Sequence, residues 1–245
     1  MQDGAVLFQA RGLAKSFGAV RVVQGLDFDV RAGEVLGVLG PNGAGKTTLF
    51  NLISGDIAPD AGQMRFDGRP LGKEPPFQRC RLGIGRTYQV PRPYGGMTVF
   101  ENLLVAALFG GRQPEAAAQA RCARILDECG LAARANQLAG GLPLLDRKRL
   151  ELARALASGP RLLLLDEIAG GLTDEESKQL VALVRQIRDS GVTVVWIEHV
   201  LNALMAVAGR LMVLNFGQKI AEGAPAEVMA SAEVQRVYMG LEAHA

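Results

Sequence analysis

The sequence has few cysteines, no long apolar run and no leader-like N-terminus, and each absence excludes a class of protein. Its three cysteines, at 80, 122 and 129, lack the spacing of metal ligands, so we expect reduced structural thiols. No apolar stretch reaches the ~18 residues that cross a bilayer. The N-terminus MQDGAVLFQA lacks the basic region and long apolar run of a secretory signal. These absences favour a cytosolic chain without transmembrane helices.

A large excess of charge of one sign is also missing. The formal net charge of the 245 residues is +2, which is too small to indicate nucleic acid as a partner. Charged residues make up an ordinary 21% of the chain and hydrophobic residues 49%, which argues against disorder and supplies a sizeable core. Without an internal repeat or a clear linker, one globular domain with subdomains is expected.

A glycine-rich turn between an apolar run and a short amphipathic helix is the most informative stretch. The run at 35–39 predicts a buried strand, and Gly55 ends the helix. The turn fits the pattern G-x-x-x-x-G-K-(S/T) through Gly40, Gly45, Lys46 and Thr47. The flanking strand and helix separate such a loop from a chance glycine turn, so the sequence predicts a nucleoside triphosphate site.

Each residue type in this turn suits a phosphate group. Gly40, Gly43 and Gly45 let the backbone curl so that N–H groups point at phosphate oxygens. The helix that begins near Lys46 adds its positive N-terminal end. The Lys46 ammonium can reach the β- and γ-phosphates, and the Thr47 hydroxyl can ligate Mg²⁺.

Two carboxylates, Asp166 and Glu167, follow a predicted strand of four leucines. A carboxylate at the tip of a parallel strand faces the ligand crevice. Asp166 is placed to hold Mg²⁺ through water, and Glu167 to polarise the water that attacks the γ-phosphate. The alternative is an acidic pair that caps a helix, and the upstream phosphate loop argues against it.

Two further polar residues stand at strand ends. His199 follows the strand that should neighbour the Asp166 strand, so its imidazole can bond the γ-phosphate; the alternative is a structural histidine. Gln89 ends a strand and enters a helical region. An amide there can sense both Mg²⁺ and the position of the helices; the alternative is a polar loop residue.

The order of the predicted elements indicates an α/β fold. Apolar strands that alternate with helices imply a mostly parallel sheet covered on both faces, and early strands of alternating polarity imply an antiparallel flank. The predicted strands are 6–12, 22–30, 35–39, 63–67, a piece of 82–89, 162–165, 192–197, 211–214 and 218–221. The segment up to 76 is predicted as a loop. Helices are predicted after the phosphate loop, from a capping box at Thr98 through 108, at 114–129, at 147–157 with Asp146 as cap, from a capping box at Thr173 through 189, and twice near the end.

Two motifs give the chain a family resemblance. GPNGAGKTT at 40–48 resembles the Walker A motif of ATP-binding-cassette (ABC) ATPases, and RLLLLDE at 161–167 resembles their Walker B motif. The resemblance covers essentially the whole chain. It implies a P-loop NTPase (RecA-like) fold, in which a mostly parallel sheet core and an antiparallel β flank (1–88 and 158–245) carry a helical subdomain (89–157).

The same resemblance implies roles for individual residues. Gln89 matches the Q-loop glutamine and His199 the switch histidine. The implied catalytic residues are Glu167, His199 and Lys46, and the implied Mg²⁺ ligands are Thr47, Gln89 and Asp166. ATP is implied to contact Gln89 and the loop residues Gly40, Pro41, Asn42, Gly43, Ala44, Gly45, Lys46, Thr47 and Thr48. Phe17 stands where the family places an aromatic ring on adenine, although such a phenylalanine can equally be core packing.

Longer segments narrow the family. Those at 83–107, 150–157, 197–204 and 234–240 resemble the ATPase subunits of branched-chain (hydrophobic) amino-acid importers. The resemblance implies one of two ATPases on the inner face of a membrane pore, with permease subunits as direct partners and a solute-binding protein as an indirect one. Urea uptake and lipopolysaccharide export on the same frame are alternatives. So are a non-transport ABC protein and a subunit that mainly binds ATP.

The sequence departs from the family at the signature motif. The LSGGQ position, which completes the site of a partner subunit, reads Leu142-Pro143-Leu144-Leu145-Asp146. Proline removes a backbone N–H, leucines replace glycines, and an acid stands near a helix start that would otherwise favour an anion. We therefore expect a heterodimer of ATPases with one strong site. A homodimer, in which Asp146 caps a helix that still presents N–H groups, is the alternative. Ile168 and Thr173 are smaller departures that concern communication between subunits.

Overall fold

The computed structural model describes residues 4–239 and contains two β-sheets with helices packed around them. One sheet has the strand order β10-β9-β3-β8-β7-β6 and the other β2-β1-β4-β5. The strands are β1 (Val6–Phe17), β2 (Val20–Arg31), β3 (Val35–Leu39), β4 (Ala61–Phe66), β5 (Arg69–Leu71), β6 (Ile84–Arg86), β7 (Leu162–Asp166), β8 (Thr193–Ile197), β9 (Arg210–Asn215) and β10 (Gln218–Gly223).

The six-stranded sheet is parallel except for β10, which pairs antiparallel with β9 at one edge. All residues of β3, β7 and β8 are buried, because both faces of this sheet are covered. Alternate side chains of β7 belong to two different hydrophobic cores. Leu163 and Leu165 pack in the core on the side of the helices, and Leu162 and Leu164 in the core on the side of the antiparallel sheet. The apolar runs of the sequence therefore mark the centre of the fold.

Nine helices cover the sheets in the described part of the chain. They are α1 (Lys46–Ser54), α2 (Pro76–Leu82), α3 (Val99–Val105), α4 (Glu115–Glu128), α5 (Leu144–Ala157), α6 (Asp174–Asp189), α7 (Leu201–Met205), α8 (Pro225–Ala230) and α9 (Ala232–Met239). A π-helical turn (Ala106–Gly110) extends α3, and 3₁₀ turns lie at Ala132–Arg134 and Ala139–Gly141. Each helix between residues 4 and 239 is too short or too polar to span a bilayer.

The predicted fold class is confirmed. The structure contains the parallel core, the antiparallel flank and a run of helical elements between β6 and β7. Both capping boxes are reciprocal, with Glu101 and Glu176 bonding back to Thr98 and Thr173. The hairpin at 215–217 also forms, with Phe216 and Gly217 at positive φ in its turn.

Two local predictions are wrong. Asp146 does not cap a helix, because α5 already begins at Leu144, after Pro143; Asp146 lies in the first turn. The segment up to 76 is not a loop throughout, because it contains β5 (Arg69–Leu71), and the helix α2 that begins with Pro76 was not predicted. The buried Arg79 of α2 donates to the carbonyls of Leu52 (2.5 Å) and Ile53 (2.9 Å) at the end of α1. Through this contact, a side chain of α2 provides hydrogen bonds to carbonyls at the end of α1 that have no partner within their own helix. No local sequence pattern reveals such a contact.

Candidate functional site

The phosphate loop joins β3 to α1 and is shaped by close backbone contacts. Gly45 precedes α1 with φ 98°, and a Cβ there would lie 2.5 Å from the Val22 carbonyl oxygen. The loop is also tied to the β9–β10 turn, because Gly217 N–H donates to the Ala44 carbonyl at 3.1 Å. Glycine is required at 45 both for the left-handed backbone and for the approach of β2.

Lys46 lies inside the loop that it is expected to serve. Its ammonium donates to the carbonyls of Gly40 (2.6 Å) and Pro41 (3.0 Å) and is almost fully buried. Burial lowers the pKa of Lys46, while the charges of Glu167 and Asp166 oppose that shift. A cation held by neutral carbonyls in a buried loop is ready to exchange them for phosphate oxygens.

A cavity of about 180 Å³ opens over this loop. Its lining contains residues of the predicted phosphate loop together with Glu167, the predicted general base. The lining residues are Val22, Asn42, Gly43, Ala44, Gly45, Lys46, Thr47, Thr48 and Glu167. Phe17 is not part of this lining. It lies at the end of β1 and pairs with Val20, which is two residues away from the cavity residue Val22. Its ring is half exposed, and the Lys15 ammonium lies 5.5 Å from the ring centroid. The exposure argues against core packing for Phe17, and its role toward adenine stays a prediction.

Glu167 is the point where three predicted residues meet. One of its carboxylate oxygens lies 2.7 Å from His199 Nε2, and the other accepts the Gln89 side-chain amide at 2.6 Å. The strand order brings them together, because β7 and β8 are neighbours in register, with Asp166 opposite Ile197. The backbone of Glu167 has φ 48°, an uncommon value for a residue other than glycine, which turns the chain out of β7 toward the loop.

Asp166 lies directly before Glu167 and is nearly fully buried. Burial raises the pKa of Asp166, and the charge and hydrogen bond of Arg86 oppose this shift, with Arg86 Nη2 3.2 Å from Oδ2. Arg86 is not among the residues predicted from the sequence. The available signal was an arginine in a short strand, GIGR, which leads into Gln89.

Glu198 is a second residue of the site that was not predicted from the sequence. It is buried, and its carboxylate accepts the backbone N–H groups of Ala169 (2.6 Å), His199 (2.9 Å) and Val200 (3.3 Å). The segment after Glu167 is thereby joined to the segment that carries His199. An acid beside a candidate histidine was the signal in the sequence.

The residues at the site fit a magnesium ion that is held mainly by a nucleotide. Across residues 4–239, no cluster of three or more His, Cys, Asp or Glu side chains forms a metal site by itself. The oxygen donors present are the Thr47 hydroxyl and the Asp166 carboxylate, the hard ligands that Mg²⁺ prefers alongside phosphate oxygens and water. Gln89 uses its amide N–H on Glu167, so its predicted role as a metal ligand stays a prediction.

The signature segment at 142–146 lies at the start of α5. Leu144 is half exposed and lies near Gly171, since a Cβ added at Gly171 would be 3.5 Å from Leu144 Cδ2. The negative charge of this segment is balanced by ion pairs, because the Asp146 carboxylate pairs with Arg134 (2.7 Å) and Arg149 (3.4 Å). Leucine side chains therefore occupy the start of the helix, and the charge of Asp146 is directed inward.

The chain is similar to known protein families, to curated relatives and to solved structures. The family described as "ABC transporter" matches residues 23–170, and the family "Branched-chain amino acid ATP-binding cassette transporter" matches 218–244. The chain is 36% identical to the high-affinity branched-chain amino acid transport ATP-binding protein LivG of Salmonella typhimurium, covering 96% of this chain and 98% of LivG. It is also 36% identical to BraF of Pseudomonas aeruginosa, a protein of the same description, with the same coverage. A crystal structure of the ADP conformation of an ABC-transporter cassette superposes with a TM-score of 0.88 at 28% identity, covering 97% of this chain and 100% of that one.

Proposed function

Since the chain belongs to the ATP-binding-cassette (ABC) transporter family and is an ATPase of that family, we propose that it powers a membrane importer for branched-chain or other hydrophobic amino acids. The convergence of Gln89 and His199 on Glu167 beside the phosphate loop carries the proposal of ATP hydrolysis. The match at 218–244 supports the choice of cargo. Urea uptake and lipopolysaccharide export remain the alternatives for cargo.

The proposed chemistry is in-line attack of water on the γ-phosphate of ATP, which breaks the bond to the β,γ-bridging oxygen and releases ADP and phosphate. Loop N–H groups and the Lys46 ammonium bind the phosphates, Lys46 leaving the carbonyls of Gly40 and Pro41 to do so. Glu167 orients the attacking water and accepts its proton. His199, released from Glu167, donates to the γ-phosphate. Mg²⁺, when bound, neutralises phosphate charge.

The face that leads from Gln89 to the helices is the proposed contact with the permease. It exposes six large apolar side chains, those of Phe77, Tyr88, Val90, Tyr94, Met97 and Phe109. Two of them, Phe77 and Tyr88, line a cavity of about 280 Å³ whose lining also includes Arg86, Glu151 and Arg154. Exposed apolar patches of this kind mark protein interfaces. We assign the chain to the cytoplasmic face of the inner membrane, where the loop at 90–97 passes movement of Gln89 to the permease and a solute-binding protein acts indirectly.

The signature segment favours a second, different ATPase subunit as partner. Leu144 and Leu145 replace the residues through which a backbone would approach a phosphate closely. Pro143, before the helix, has no N–H to offer. We propose that a partner with an intact signature completes the Walker A site of this chain, and that this chain completes only a weak site. The alternative is a subunit that mainly binds ATP and hydrolyses little because of this degenerate signature.

Uptake in cells tests the cargo. Deletion of the gene should abolish uptake of radiolabelled leucine, isoleucine and valine, and wild-type protein but not Glu167→Gln should restore it. Unchanged amino-acid uptake combined with loss of urea uptake would reject the proposed cargo.

Size-exclusion chromatography of Glu167→Gln with and without Mg-ATP tests the partner. We expect a monomer that still binds ATP; a stable homodimer with trapped ATP would show that the segment at 142–146 works as a signature.

Restoring LSGGQ at 142–146 should raise ATPase activity by permitting homodimers. A matched variant that keeps Asp146 and changes only Pro143, Leu144 and Leu145 separates the backbone effect from the loss of the Arg134 and Arg149 ion pairs. An unchanged rate in both variants would count against the weak-site proposal.

A further inference from the structure

Arg86 is the most heavily engaged charged side chain near the site, and no role assigned above accounts for it. Its guanidinium donates to Asn51 (2.6 Å), Ser54 (3.0 Å), Asp56 (3.0 Å) and Asp166 (3.2 Å). The rings of Tyr88 and Phe50 lie 4.9 and 5.7 Å from it. Four hydrogen bonds and two ring contacts hold this cation in one place.

The partners of Arg86 come from separate parts of the site. Asn51 and Ser54 lie on α1, the helix that follows the phosphate loop, while Asp56 lies just beyond it. Asp166 ends β7, and β6, which carries Arg86, pairs with β7 in parallel register. Arg86 therefore ties the candidate metal carboxylate to the helix of the phosphate loop.

The geometry leaves one oxygen of Asp166 open. Arg86 takes Oδ2, the Asp166 N–H donates to the Thr87 hydroxyl at 3.2 Å, and no hydrogen bond from residues 4–239 reaches Oδ1. The Arg86 side chain is 7% exposed and that of Asp166 5%, so water can replace this ion pair only poorly. Without Arg86, the other cation acting on Asp166 is Lys46, which the phosphates require.

We propose that Arg86 is a positioning residue for the metal, holding Asp166 so that Oδ1 faces the hydrated Mg²⁺ of a bound nucleotide. This inference rests on the proposed Mg-nucleotide site and adds a residue to it. Residues that orient a metal ligand in this way commonly change metal affinity by about 10- to 100-fold when removed. Arg86 sets the magnesium concentration that the site needs, and leaves metal-free nucleotide binding to the loop.

Magnesium titration of nucleotide binding tests the proposal. Binding of a fluorescent ATP analogue to purified full-length protein is measured across Mg²⁺ concentrations and in EDTA. Arg86→Gln should raise the Mg²⁺ concentration at half-saturation by about tenfold or more, with affinity in EDTA unchanged, and Arg86→Lys should recover part of the loss. Arg161→Gln is the matched control, because it breaks an arginine–aspartate pair with Asp67 beside the other end of β7.

An unchanged Mg²⁺ concentration at half-saturation in folded Arg86→Gln would overturn the proposal. A lowered one would also overturn it, by showing that Arg86 competes with the metal. So would an equal loss of affinity in EDTA, which indicates a structural role. If Arg86→Gln does not fold, Asn51→Ala and Asp56→Asn loosen Arg86 from the side away from Asp166, and an unmoved midpoint in both rejects the proposal. Wild-type binding that ignores Mg²⁺ would instead reject the proposed metal site itself.

Discussion

Replacement of Glu167 by glutamine removes the proposed base and keeps the shape of the site. The glutamine carbonyl can accept the Gln89 amide, and its NH₂ can donate to a neutral His199, so both contacts of 2.6 and 2.7 Å have a counterpart. What disappears is a carboxylate that takes a proton. General-base catalysis contributes about 10²- to 10⁴-fold, which corresponds to roughly 3 to 5 kcal/mol in the activation barrier.

The assay is single-turnover release of phosphate from ATP by the chain assembled with its transporter subunits, and nucleotide affinity is measured in parallel. We expect turnover to fall by about 10²-fold or more, while ATP affinity holds or rises because a negative charge near the γ-phosphate is gone. Glu175→Gln, which changes an exposed glutamate of α6 paired with Lys178, is the control and should leave both quantities unchanged. Turnover within tenfold of wild type would remove Glu167 from the role of base.

Two further predictions concern the loop and a buried thiol. Gly45→Ala should lose nucleotide binding and melt at a lower temperature, because a Cβ there would lie 2.5 Å from the Val22 carbonyl oxygen. Gly68→Ala is the control and should keep binding, because Gly68 also has a positive φ but has open space around it. Equal nucleotide affinities of the two variants in a fluorescence titration would contradict the steric argument. Burial raises the pKa of Cys129 from 9.0 to about 12. Its folded pKa therefore exceeds the unfolded value, so its contribution to stability is complete below pH 9 and declines between pH 9 and 12. Between pH 8 and pH 10, the free energy of unfolding measured with urea should fall by about 1 kcal/mol less in Cys129→Ala than in the wild type. An identical pH dependence of the unfolding free energy in both proteins would reject the raised pKa of Cys129.

Motifs whose meaning is local were predictable from the sequence. The phosphate loop, the two capping boxes and the β9–β10 turn depend on residues within a few positions of one another, where backbone sterics and hydrogen bonding act directly. The apolar strands were predictable for a related reason: a strand buried on both faces has no polar position, and four consecutive leucines show this without any contact information.

The errors lie where distant segments decide the outcome. Helix α2 depends on Arg79 bonding carbonyls of α1, more than 25 positions away in the chain. Asp146 has the composition of a cap, but its ion pairs with Arg134 and Arg149 and the earlier start of α5 at Leu144 place it inside the helix. Propensity and spacing carry no information about such partners.

The sequence by itself determined the phosphate loop, the acidic strand end and the alternation of strands and helices, because each depends on short-range chemistry or on burial. The tertiary structure decided what surrounds Glu167 and Asp166. Neighbouring strands in parallel register bring His199 to Glu167, and the turn after β6 brings Gln89 to the other oxygen. Arg86 reaches Asp166 across 80 positions for the same reason. Strand order is set by packing of the whole chain, so the partners of a strand-end residue emerge only when the sheet is assembled.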